Sequence, residues 1–297
     1  MFFYYFLSIL AALCWAVASL ISADVTRSIG GLVFNRIRLI FVSIILLIYT
    51  TLINTWGTIS IEYLNIIIIS GIIGIFLGDT FLFMALQKIG PRRNNILFSL
   101  AAPFTVFLNI FLLHQEMTFT ILSGCFIVFI GVVIAISYGS DKNSNHRWEA
   151  IQGSLLVGVS FAILAALCQA IGLIMMKPIL NLGADPIASA AIRTTISCFL
   201  LSFTFLLKSK NFVSKVKINA SIIKKSIISG FLGMALGMSL ILIALQKADA
   251  GIVATLSSTS PIMILFLIWM LTKKIPSLGA WFGTILAIFG TGLLFIY

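Results

Sequence analysis

Apolar residues run along this chain in long blocks separated by short polar stretches, without the strict alternation of a half-buried strand. A helix needs about 20 mostly apolar residues to cross a hydrocarbon core about 30 Å thick. By that ruler, blocks at residues 2–21, 32–53, 64–86, 94–113, 119–138, 153–175, 187–207, 226–245, 252–271 and 278–297 each predict a spanning helix. The blocks are too long for strands, and the pattern is not that of a membrane β-barrel. Several connections carry turn chemistry: Gly30-Gly31, Gly90-Pro91 and Asp185-Pro186. Two are longer. Gly139 to Glu149 reads as a polar linker, and Lys208 to Lys225, with its six lysines, reads as a headgroup-facing loop.

The blocks repeat. Leu10-Ala11-Ala12-Leu13-Cys14-Trp15-Ala16 returns as Leu164-Ala165-Ala166-Leu167-Cys168-Gln169-Ala170. Arg38 has its counterpart in Arg193, and Ala85-Leu86-Gln87-Lys88 in Ala244-Leu245-Gln246-Lys247. Gly71, Gly74 and Gly78 match Gly230, Gly233 and Gly237; Pro103 matches Pro261; Gly124 and Gly131 match Gly283 and Gly290. The matches are collinear and divide the chain into 1–138, a linker at 139–152, and 153–297. Five spans is an odd number, so a second copy enters the membrane from the opposite side. The expected fold is therefore all-α and integral to the membrane: ten transmembrane helices as two inverted five-helix repeats around a central cavity. Inverted repeats offer two pseudo-equivalent packings, the basis of alternating access with substrate near the midplane.

Composition agrees: 61% of the 297 residues are hydrophobic and only 9% charged, against roughly a quarter charged in soluble domains. Phe2 to Phe6 lacks a positive leader region, so the first block is expected to be a span and not a cleaved signal. Cys14, Cys125, Cys168 and Cys198 all fall inside expected spans, which speaks for buried small residues and against a disulfide framework. The net charge of +11 sits mainly in connections, so it is a topology signal and not a nucleic-acid footprint. Most of the 19 Lys and Arg lie on odd-numbered connections; the even ones hold only Lys177 and Lys247. The positive-inside rule then puts odd connections in the cytoplasm and both termini outside.

The run Gly78-Asp79-Thr80 to Ala85-Leu86, followed by Ala101-Ala102-Pro103, Gln115-Glu116, Gly124 and Gly131, resembles the EamA-type transporters of the drug/metabolite transporter superfamily. Trp15, the arginine entering span two, Pro186 to Arg193, and Ser260-Pro261 extend the resemblance over nearly the whole chain. It implies ten helices, a central cavity, and export or exchange of a small metabolite such as an amino acid, in a bacterial inner membrane and without an ATPase domain. It also implies cytoplasmic termini, opposite to the charge count. The acidic position after the fourth span is Glu116 in the first half but Lys273-Lys274 in the second.

Asp79 is the sharpest candidate for substrate binding or coupling, because a carboxylate inside a span must face a cavity or a partner. It would carry a proton, the candidate coupling ion, or bind a cationic substrate; its alternative is a pair with Lys88 or Arg92. Arg193 lies about seven residues into its span and reads equally as functional, attracting an anion or forming a gate salt bridge with an acid such as Asp24 or Asp185, or as snorkelling toward headgroups. Arg38 reads first as snorkelling toward lipid headgroups, and otherwise, with Glu116, as a gate or interface charge paired to an acid such as Asp24 or Asp185. Pro103 and Pro261 predict kinks or hinges, each freeing a carbonyl one turn earlier. Trp15, Gln169, Asn109, Ser257 and Ser260 are further candidates for a pocket of mixed polarity. Membrane lipids and a small molecule are the expected partners; no nucleic acid, metal or cofactor is called for. No acid–base cluster or nucleophile pair suggests an enzyme. The main rival is a flippase for a lipid-linked molecule.

Overall fold

The computed structural model describes residues 2–113, 118–138, 148, 150–204, 214, 216–245 and 256–294. Among these every regular element is helical. The helices are α1 (Phe2–Ile29), α2 (Gly31–Ile53), α3 (Ile61–Gly71), α4 (Gly78–Phe98), α5 (Ala101–Leu113), α6 (Phe119–Ser137), α7 (Leu155–Asn181), α8 (Pro186–Phe203), α9 (Ala220–Gly230), α10 (Gly237–Leu245), α11 (Ser260–Thr272) and α12 (Leu278–Leu293). Among the described residues, six helical stretches are long and apolar enough to cross a membrane, and α11 and α12 are shorter apolar helices. The chain is an integral membrane protein.

The helix ends follow local chemistry. Gly30 (φ 93) turns the chain between α1 and α2, and Gly90 (φ 80) breaks α4 at Gly90-Pro91, as the turn pattern predicts. Asp185 caps α8: its Oδ1 accepts from the backbone of Ile187 at 3.0 Å and Ala188 at 2.7 Å. The lysine-rich stretch ends earlier than expected. Asn219 accepts from Ile222 N at 2.9 Å, so α9 starts at Ala220 and takes in Lys224 and Lys225. α1 likewise continues past residue 21 to Ile29, because Asp24 and Arg27 find partners outside the helix. The expected hinge prolines do not sit at mid-helix. Chain breaks fall one turn upstream, at Ser99–Leu100 and Ser258–Thr259, and Pro103 and Pro261 lie in the first turns of α5 and α11. There a proline forfeits no helical hydrogen bond.

A six-residue π-helical segment, Ile72–Leu77, joins α3 to α4, and a second, Phe231–Leu236, joins α9 to α10. Each is framed by matching glycines, Gly71 and Gly78 in one case, Gly230 and Gly237 in the other. Wide turns of this kind shift the hydrogen-bond register and recur at functional sites.

Corresponding helices also meet. α6 and α12 pack with Gly124 against Gly290 and Gly131 against Gly283, backbone to backbone. As residue numbers rise along one helix they fall along the other, so the pair is antiparallel. α2 and α8 meet in the same sense: Leu39 clusters with Leu201, while Val42 and Leu46 cluster with Ala191. Small residues at such seams let helix axes approach closely where burial from water gives no drive.

Candidate functional site

The site is built where α2, the π segment between α3 and α4, α7 and α8 converge. Arg38 lies two turns into α2, and Asp79 is the second residue of α4. At 1.5 Å per residue, Arg38 sits about 10 Å from Gly31, Asp79 about 15 Å from Ile89, and Arg193 about 10 Å from Pro186. By this measure Asp79 lies about half-way, and Arg38 and Arg193 about a third of the way, across a ~30 Å core, all three well inside it.

Arg38 does not snorkel. Its side chain is 8% exposed, and Nη1 donates to Asp79 Oδ2 at 2.7 Å. The reason is energetic: an inward turn exchanges a distant headgroup for a full counter-charge in low dielectric. Asp79 thus pairs with neither Lys88 nor Arg92, and Arg38 with neither Asp24 nor Asp185. Asp185 is committed to its helix cap, and Asp24 accepts from Trp148 Nε1 at 2.8 Å. The guanidinium also stacks 4.9 Å from the Phe83 ring centre, and Phe83 meets Phe34 edge-on at 4.9 Å. Asp79 and Phe83 are four apart on one helical face, so a single face of α4 holds the arginine by charge and by ring. Asn35, one turn before Arg38, accepts weakly from its Nη1 at 3.4 Å, and its Nδ2 is buried without a partner.

Arg193 comes from the second half and acts electrostatically on Asp79. Its guanidinium occupies a slot bounded by Gly74 and Gly172, where a Cβ on either glycine would reach Nη2. Gly71 abuts the backbone of Arg193, and the matching Gly230 abuts Arg38. Each half's π-segment glycine thus seats the other half's arginine. Asp79 has no such twin: the corresponding residue is Met238, and the charge arrangement is one-sided.

The other candidates disperse. Trp15 donates Nε1 to Gly233 O at 2.8 Å, a carbonyl inside the second π segment, and its indole lies on Gly237. Gln169 is half-buried with no hydrogen bond among the described residues. Ser260 is buried with an unpartnered Oγ, next to Pro261. Ser257 lies just ahead of the break at Ser258–Thr259. Asn109 is in α5, but its side chain, like all of Glu116, lies outside the described residues.

Two features escaped the sequence reading. The first is the pair of π segments, whose signal was the repeated glycine spacing. The second is Trp148, a lone indole in the polar linker, which is buried under α1 and α11 and packs its carbonyl on Gly90. Arg27 holds the same stretch through Ala150 O at 2.6 Å, and Gln152 N donates to Lys88 O at 2.8 Å. A cavity of about 230 Å³ remains beside it, lined by Val17, Leu20, Ile21, Asp24, Trp148, Leu267 and Leu271.

Comparison with known proteins accords with this architecture. One solved structure, described as "Crystal structure of protein", superposes with a TM-score of 0.68 at 14% identity, covering 98% of this chain and 95% of its own. At that identity the likeness is one of fold. No curated protein matches the chain. The model of the EamA-like transporter family matches twice, over residues 2–137 and 156–296. The chain therefore belongs to the EamA-like transporter family of the drug/metabolite transporter superfamily, and is a membrane transporter with a small-molecule substrate.

Proposed function

We propose that the protein is a secondary transporter, an exporter or exchanger of a small metabolite, working by alternating access in a bacterial inner membrane. Its ten spans form two inverted five-helix repeats, 1–138 and 153–297, joined by the linker 139–152, around a central site at Arg38, Asp79 and Arg193. The observation that carries this reading is the reciprocal antiparallel contact between corresponding helices: Gly124 with Gly290, Gly131 with Gly283. A two-fold relation that exchanges the halves makes two end states of similar energy available, one open to each compartment. Charges well inside the core and drawn from both halves support a binding site at the exchange axis.

Asp79 works here as a counter-charge held by Arg38 and not as a free proton carrier, which favours exchange over proton coupling. A polar, charged centre favours a water-soluble cargo over a lipid-linked one. The basic face, with Arg27, Lys88, Lys225, Lys273 and Lys274 near it, is the cytoplasmic one.

The test is topological and functional. Gly57 and Val216 are corresponding exposed positions on the connections before α3 and α9. Single cysteines there, in a chain freed of its native four, are expected to react with impermeant maleimide from opposite sides. Counterflow in proteoliposomes, with a preloaded substrate accelerating uptake of the same labelled compound, is the flux arm. Same-side labelling would end the inverted-repeat reading, and non-saturating flux without counterflow would replace the carrier with a channel.

A further inference from the structure

Taking the protein as a transporter, we infer that its substrate carries a net negative charge, as a small organic carboxylate bound by Arg193, and not as a zwitterion or a cation.

Arg193 offers five N–H donors, yet its Nε is buried without a partner and its guanidinium makes no hydrogen bond among the described residues. The residue as a whole is half-buried. A guanidinium well inside a membrane core is costly unless something accepts its protons. Asp79 acts on it electrostatically but accepts no hydrogen bond from it; its Oδ2 accepts from Arg38 at 2.7 Å. The Nη2 end of the guanidinium lies in the slot between Gly74 and Gly172, where a side chain on either glycine would meet it. What this leaves is a planar set of N–H donors with no acceptor among the described residues. A carboxylate is the planar, charged acceptor that suits such a group.

Charge points the same way. The cluster holds two arginines and one aspartate, an excess of one positive charge. Met238, the counterpart of Asp79, does not redress it. A monoanion in the site brings the buried charge to neutrality, whereas a zwitterion leaves the excess and a cation raises it. Nearby donors are also in surplus: the Nδ2 of Asn35, the neighbour of Arg38, is buried and unpartnered. In low dielectric this difference separates substrate classes that similar shapes would not.

The experiment uses the full chain in detergent and in liposomes. The probes are 2-hydroxy, 2-oxo and aryl monocarboxylates, their neutral amides, the corresponding 2-amino acids, and inorganic phosphate. Thermal unfolding reads binding, and counterflow of the best labelled binder reads transport. The expected result is that at least one monocarboxylate stabilises the protein and its amide does not. Arg193→Gln is expected to weaken that carboxylate at least tenfold, and Arg193→Lys, which keeps the charge but not the planar donor set, by less. The comparison of carboxylate with amide needs only the unmodified protein, so it stands even if a variant folds poorly. Stabilisation by amides, amino acids or phosphate but by no monocarboxylate, no stabilisation by any probe, or a carboxylate effect untouched by Arg193→Gln would each overturn the inference. Carboxylate binding lost in Arg193→Gln but without counterflow would leave it standing and remove the carrier reading. Counterflow of an amino acid indifferent to Arg193→Gln would do the reverse.

Discussion

Replacing Asp79 with asparagine is the most informative single perturbation. The shape is nearly unchanged, but Arg38 and Arg193 are left as two cations inside the core without a counter-ion. The Arg38–Asp79 pair is short, 2.7 Å, and its side chains are only 8% and 15% exposed, so solvent screening is slight. Unit charges about 4 Å apart attract by about 4 kcal/mol at an effective dielectric near 20. Breaking a buried pair by removing one partner costs ~3–5 kcal/mol. Both routes give a loss of about 3–4 kcal/mol for Asp79→Asn. The four native cysteines, two buried and two half-buried, make a thiol-reactive dye a direct reporter of thermal unfolding. For a chain of this size the midpoint is expected to fall by roughly 5–12 °C. Arg38→Gln alone should cost a comparable amount, and the double variant less than the sum, with a coupling energy of about 2–3 kcal/mol. A midpoint for Asp79→Asn within 2 °C of the parent would refute the reasoning, since the aspartate would then not be neutralising the arginines.

Other consequences follow from single contacts. Gly131→Ala puts a Cβ against the backbone of Ala287 and Gly283 and is expected to destabilise by about 1–3 kcal/mol in the same assay. Gly57→Ala, where a Cβ meets nothing within 4 Å, is the control and should stay within about 0.5 kcal/mol. Trp15→Phe removes the donor to Gly233 O and should cost about 1–3 kcal/mol, read as a lower unfolding midpoint. Gly90→Ala combines a positive φ with a clash on the Trp148 carbonyl. Release of Trp148 from its seat is expected, visible as red-shifted, quencher-accessible tryptophan fluorescence relative to the parent.

The helical blocks were legible because hydropathy over a span-length window depends on composition, not on rotation about the helix axis. Rotation is what the sequence withheld. Arg38 and Asp79 are 41 positions apart, and nothing in the order of residues says that both side chains turn inward to one another. Arg38 looked peripheral by its distance from the span end, and only the α4 face bearing Asp79 and Phe83 makes the interior cheaper for it than the lipid headgroups. The π segments hid for a related reason: a shift from four-residue to five-residue hydrogen bonding leaves hydropathy unchanged. The glycine triplets marked the place without naming the geometry. Gly90-Pro91 and Asp185-Pro186 were readable directly, since their backbone requirements are local. Trp148 was not legible because a polar stretch suggests solvent, whereas its indole is the apolar exception that docks the stretch.

The two seams between corresponding helices differ in material. Along α6 and α12 the contact is mostly glycine against backbone, with Val128, Leu293 and Leu294 beside it; along α2 and α8 it is side chain against side chain, Leu39 with Leu201 and Val42 and Leu46 with Ala191. A bound book has a similar asymmetry, with a tight spine on one side and softer page edges on the other. On the proposed alternating-access reading, a covalent staple across α6 and α12 should leave transport almost unchanged, while one across α2 and α8 should stop it.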